Sequence, residues 1–69
     1  MKNAIGKNIS FLRKKHGLTQ EELAKQLNVS FQAVSKWETG SSYPDISVLP
    51  ELANIFHCDI DSLLGYPAE

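Results

Sequence analysis

Apolar residues along this chain recur at helical spacing, and nothing alternates in the two-residue rhythm of a strand for more than a few positions. Ile5, Ile9 and Leu12 fall at i, i+4 and i+7, which predicts a first helix over 3–15 ended by Gly17 as a left-handed residue. Thr19 and Glu22 have capping-box spacing, and Leu18 and Leu23 occupy the two positions of a hydrophobic staple, so a second helix starts at Gln20. Its inward face is Leu23, Ala24 and Leu27. It ends near Gln26 or Leu27, because Asn28 tolerates positive φ and Ser30 is already the next N-cap. Val29 and Val34 repeat the staple around Ser30, which predicts a third helix over 31–38 that stops at Gly40. Two helices of about two turns each, joined by so few residues, must cross sharply. Ser41-Ser42-Tyr43-Pro44 is a loop by composition. A fourth helix starts near Val48, with Leu49, Leu52, Ala53 and Phe56 on one stripe and Pro50 in its first turn, where the missing N–H costs no hydrogen bond. Asp59 caps a fifth over 60–64, closed by Gly65. No internal repeat is evident. The expected fold is all-α: five short helices in one domain over 1–69, with 66–69 a short tail.

A 69-residue chain buries only about 60% of the surface its unfolded form exposes, so it needs very regular helix packing, a staple or a partner subunit. The lone Cys58 rules out an internal disulfide, and with only His16 and His57 besides carboxylates there is no set of zinc-ligand spacing. Regular packing, helped by dimerisation, is what remains. No apolar stretch is long enough to span a bilayer, and Met1-Lys2-Asn3-Ala4 lacks the apolar region of a signal peptide, so the expected location is cytoplasmic. Net charge is −1 and the pI about 6.1, which is not the strongly basic balance of a simple nucleic-acid binder. The total conceals a pattern. All seven basic residues lie in the first 36 positions against Glu21 and Glu22, a net +5, whereas 37–69 carry six acids and no base, a net −6. Such a chain can present a positive face to a polyanion; the plainer reading is charge covering a solvated surface.

The stretch from Gln20 to Thr39 has the residues of a helix-turn-helix: Ala24 where two backbones approach, Asn28 at the turn, and Leu23, Leu27, Val29, Val34 and Trp37 packing on both sides. Thr19-Gln20-Glu21-Glu22-Leu23-Ala24, Val29-Ser30 and Val34-Ser35-Lys36-Trp37-Glu38-Thr39-Gly40 resemble the Xre/Cro family of phage-repressor-type helix-turn-helix domains. The resemblance covers nearly the whole chain, from Ile5-Gly6 and 9–13 through Pro44-Asp45 and 49–53 to 61–65, with Asn28 standing where that family commonly has glycine. It implies a compact five-helix lambda-repressor-like domain, no cofactor, no small-molecule substrate, and often a homodimer on a two-fold symmetric double-stranded DNA operator. A protein-interaction module on the same fold, such as an antitoxin or adaptor, is the alternative, and the acidic second half would be its surface.

Phe31, Gln32, Ser35 and Lys36 are the residues of the third helix that the core does not need, and they are the candidate base contacts. Gln32 can pair with adenine and Phe31 can cover a thymine methyl, with packing of Phe31 onto the second helix or a partner as the alternative. Gln20 opens the second helix, where a phosphate is favoured; otherwise it is an exposed glutamine with no partner. Ser30, Ser41, Ser42 and Tyr43 are further candidate phosphate contacts. Trp37 falls on the buried stripe and is read as core. Arg13 and Glu38 are, by the resemblance, an ion pair clipping the first helix to the end of the third. Ile60, Leu64 and Tyr66 are candidates for a dimer surface, being too many apolar groups for so short a helix to bury. His57-Cys58-Asp59 is a poor metal or nucleophile site, since adjacent side chains do not converge; Cys58, opposite Leu63, reads as a buried inert thiol. No catalytic set is present, and the chain is not expected to be an enzyme.

Overall fold

The computed structural model describes residues 4–65, which leaves Asn3 and the tail 66–69, with Tyr66 of the expected dimer surface, outside the described residues. Five α-helices succeed one another: α1 (Ala4–Lys15), α2 (Gln20–Leu27), α3 (Phe31–Thr39), α4 (Leu49–Phe56) and α5 (Ile60–Leu64). Each start has a local cause. The Thr19 hydroxyl accepts from the Glu22 N–H at 3.0 Å while the Glu22 carboxylate accepts from the Thr19 N–H at 2.8 Å, so the box closes α2 from both sides. Ser30 accepts from the Ala33 N–H at 3.1 Å, and Asp59 from the Ser62 N–H at 2.8 Å.

α4 begins within one residue of the expected start near Val48, but its approach adds a turn that the sequence pattern does not mark. A 3-10 turn, Ile46–Val48, precedes the helix, and Asp45 organises it by accepting from both the Ser47 N–H at 3.0 Å and the Ser47 hydroxyl at 2.6 Å. Pro50 then sits in the first turn of α4 as its missing donor requires.

Each helix contributes one wholly buried residue to the centre: Ile9, Leu23, Val34, Leu52 and Leu63 are all 0% exposed. Trp37 and Phe56 fill the space around them, so Trp37 is part of the core. Two close approaches fix α1. A side chain at Gly6 would run into the carbonyl oxygen of Trp37, so glycine lets α1 lie against α3 backbone to backbone. On the other flank Asn8 Nδ2 donates to the Leu63 carbonyl at 3.0 Å and ties α1 to the end of α5.

The fold also contains a repeat that residue identity hides. Glu22-Leu23-Ala24 in α2 and Glu51-Leu52-Ala53 in α4 lead into the same exit: a left-handed residue (Asn28, φ 60°; His57, φ 56°), a half-buried apolar residue (Val29; Cys58), then the next N-cap. The capping bonds match as well, Val29 N–H to Ala24 O and Cys58 N–H to Ala53 O, each at 3.0 Å. The repeat is not evident in the sequence because only one short triplet is shared and the turn residues differ in type.

Candidate nucleic-acid interface

The short exit from α2 swings α3 sharply across it and leaves one face of α3 outside the core. Gln32 and Lys36 are exposed and Ser35 is half-buried, and their spacing of i, i+3 and i+4 puts all three on one stripe. Phe31 is 43% exposed at the N-terminal end of that stripe. It also walls an open groove of about 580 Å³ whose other lining includes Arg13, Lys14, Leu18 and Gln20. Intramolecular packing therefore covers over half of Phe31, and its outer edge remains free for contact.

At the other end of α3 the Lys36 carbonyl accepts from the Ser41 N–H at 2.9 Å, the Ser42 N–H at 3.3 Å and the Thr39 hydroxyl at 3.2 Å. The amides of Ser41 and Ser42 are thus committed to ending the helix, and what these residues offer a ligand is their hydroxyl groups. Ser41 Oγ lies 3.1 Å from Thr39 Oγ1. Tyr43, 66% exposed, stands beyond them on the same loop. Ser30 spends a lone pair on its cap and keeps its hydroxyl proton to donate.

Behind this face lies a charged clip. Arg13 Nε donates to Glu38 Oε2 at 2.7 Å and Arg13 Nη2 to Glu38 Oε1 at 3.0 Å, a two-pronged pair with side chains only 11% and 6% exposed. Arg13 Nη1 also donates to the Leu18 carbonyl at 2.8 Å, so one guanidinium holds the end of α1, the entry to α2 and the end of α3. Gln20 joins this group. Its Nε2 donates to Glu38 Oε1 at 2.9 Å, so it is neither an unpartnered surface glutamine nor wholly free for phosphate: one N–H is spent inward and one remains. Local sequence carries no signal of that contact, because residues 18 positions apart meet only through the crossing of α2 and α3.

Burial works to raise the Glu38 carboxyl, but it is outweighed. Hydrogen bonds from Arg13 and Gln20, the charge of Arg13 and the nearby Ser10 hydroxyl together hold it below its ordinary value. The bond to Glu38 raises the guanidinium of Arg13 in turn, against its own desolvation. Both groups are charged at neutral pH.

Elsewhere, Ile60 and Leu64 are 37% and 36% exposed on α5, so the described part of the expected dimer surface is uncovered in the single chain. Phe11, 64% exposed on α1, is an apolar group that the periodicity does not single out, since it lies off the Ile5-Ile9-Leu12 stripe. Cys58 is half-buried and its thiol is pushed up by burial and by the charge of Asp59, which keeps it protonated and unreactive. No cluster of three or more metal-ligating side chains occurs among the described residues.

A helix-turn-helix family model matches residues 9–63. The chain belongs to the Xre-like helix-turn-helix family. Among its relatives, the transcriptional activator BcrR of Enterococcus faecalis is 49% identical over 54 residues, which are 78% of this chain and 26% of BcrR. The chain therefore spans about a quarter of that relative's length. A transcriptional regulator from Listeria innocua has the same fold, with TM-score 0.84 and 42% identity over 94% of this chain and 61% of the other. The P22 c2 repressor, solved in complex with a synthetic operator, aligns with TM-score 0.84 and 33% identity over 91% of this chain and 96% of the repressor chain. These likenesses show the all-helical lambda-repressor-like fold. None of the described helices is long and apolar enough to cross a membrane.

Proposed function

We propose that this domain binds double-stranded DNA sequence-specifically for a transcriptional regulator, inserting α3 into the major groove. The observation that carries the reading is the exposed Gln32, Ser35 and Lys36 stripe, presented by a helix whose other sides are fixed by the core, the Gly6 contact and the Arg13–Glu38 clip. The likeness to a repressor that binds an operator supports it. Gln32 is the base reader best suited to adenine, with Phe31 against a thymine methyl. Ser35 meets a base or a phosphate. Lys36 is a candidate for guanine, with the phosphate contact the preferred one. Gln20, Ser30, Ser41, Ser42 and Tyr43 hold the sugar-phosphate backbone on either side of the reading stripe, where contacts set register rather than sequence. Gln20 does so through its second N–H.

Two copies pair through Ile60 and Leu64, with Tyr66 adjoining in sequence, and so place two α3 helices about 34 Å apart on a palindromic site. The role is non-catalytic and cytoplasmic, and occupation of an operator by this domain alone represses. Selection of bound sequences from a random duplex pool, followed by titration of the best site across salt, tests the reading. Affinity that falls steeply with salt, with two chains per site in sedimentation, is the expected result, because cations leave the phosphates on binding. No selected sequence, or binding indifferent to salt, would favour the protein-interaction module instead.

A further inference from the structure

DNA binding through α3 uses neither histidine. The chain has only two, His16 and His57, separated by 41 positions, and the fold brings them together. His16 comes just after the last turn of α1 and His57 is the left-handed residue that ends α4. Their ring centres lie 6.0 Å apart with the planes tilted by 44°. Both residues are exposed, and His16 also stacks on the buried Phe56 with ring centres 5.7 Å apart, which limits where its imidazole can swing. Two imidazoles bound at about 2.0 to 2.1 Å set their ring centres about 3 Å from a shared ion, so the centres lie about 4.5 to 5 Å apart for neighbouring positions of the shell and about 6 Å apart only for opposite ones. The observed 6.0 Å is about 1 Å wider than neighbouring positions need, a gap that rotation of the exposed His57 ring closes.

We infer that His16 and His57 form a two-histidine site for a late first-row divalent ion such as Ni²⁺, Cu²⁺ or Zn²⁺, with water completing the shell. Imidazole nitrogen selects these ions over Mg²⁺ and Ca²⁺, which prefer oxygen. The half-buried Cys58 is packed against the core, and the proposed shell does not include it. A bound ion cross-links the end of α1 to the end of α4, adding to the stacking of His16 on Phe56. It therefore binds the folded chain in preference to the unfolded one, and stabilises it in proportion to occupancy.

The test is calorimetric titration of the chain with Ni²⁺ alone, paired with thermal unfolding with and without the ion. His16→Phe keeps the stacking on Phe56 without a ligating nitrogen, and His57→Asn keeps a residue that accepts the left-handed backbone. The expected result is one ion per chain, a raised Tm, and loss of both in either variant, each with affinity at least about tenfold lower as for removal of a metal-supporting group. Cys58→Ala should leave binding unchanged. Two ions per chain with each variant losing one would mean independent histidines and would overturn the site. So would binding that survives both variants, dependence on Cys58, or no heat and no Tm shift at millimolar ion.

Discussion

In both the α2–α3 and the α4–α5 pairs, an eight-residue helix containing Glu-Leu-Ala ends in a left-handed residue, and a polar N-cap two positions later starts the next helix. The turn angles are nearly the same, φ 60° and ψ 42° at Asn28 against φ 56° and ψ 44° at His57. The helices beyond the two turns differ. After Asn28 comes a nine-residue helix with Gln32 and Lys36 exposed; after His57 comes a five-residue helix exposing Leu64 and, between Asp59 and Asp61, Ile60. The same corner thus presents a polar face on α3 and an apolar one on α5. Backbone geometry sets where the second helix points, and side-chain chemistry decides what it can meet. The two pairs also differ in anchorage. The end of α3 is clipped by Arg13 and Glu38 with Gln20, whereas α5 is tied to α1 by a side-chain hydrogen bond from Asn8.

Breaking the clip should have the largest effect. Arg13→Ala leaves the Glu38 carboxylate almost buried without its counter-ion, a loss of about 3 kcal/mol by the cost of orphaning one member of a buried pair. Urea unfolding of the single variants and of Arg13→Ala with Glu38→Ala measures it. The double variant should lose clearly less than the sum, and additive losses would mean the two residues do not depend on one another.

Acid should act on the same clip. The folded Glu38 carboxyl is held below its ordinary value, so the stability it contributes is fully present above the unfolded value of about 4.3 and is lost as pH falls through the lower folded one. The caps Asp45 and Asp59 are lowered by their own hydrogen bonds to Ser47 and Ser62 and work in the same direction. Unfolding midpoints measured downward from pH 6 should therefore fall in the acid range, and the fall should be shallower in Glu38→Gln. An equal slope in both proteins would remove Glu38 as the cause.

The smallest effect separates the two corners. Histidine accepts the left-handed conformation less readily than asparagine, so His57→Gly should stabilise by about 0.5 to 1 kcal/mol and Asn28→Gly by less. Thermal unfolding in the absence of divalent ions makes the comparison clean. A larger gain at Asn28 would reverse the strain assigned to the two turns.

Much of this architecture is legible in the sequence because its determinants are local. The Thr19–Glu22 box, the Ser30 and Asp59 caps and the left-handed Gly17, Asn28 and Gly40 are each written within four residues, so the expected α2 and α3 agree with the observed ends to within one residue. The 3-10 turn before α4 escapes such a reading because Asp45 caps through Ser47 in a segment otherwise marked as loop by Pro44. In sequence His57 stands out only as a metal or nucleophile candidate, since few histidines terminate helices this way. Gly6 against Trp37, Asn8 on Leu63 and Gln20 on Glu38 depend on how distant helices cross, and no local pattern encodes that. The candidate stripe itself emerges by subtraction: once the core residues of the third helix are removed, Phe31, Gln32, Ser35 and Lys36 remain.

The proposed division between a reading face on α3 and a pairing face on α5 is tested most directly by Gln32→Ala, titrated at one salt concentration against the selected operator and a scrambled duplex. Gln32 is exposed and makes no core contact, so the variant should fold as the parent does. The predicted result is a loss of about 1 to 3 kcal/mol on the operator and almost none on the scrambled duplex, the signature of a lost base contact. Equal losses on both duplexes, or no loss on either, would contradict that division and move the recognition face off this stripe of α3.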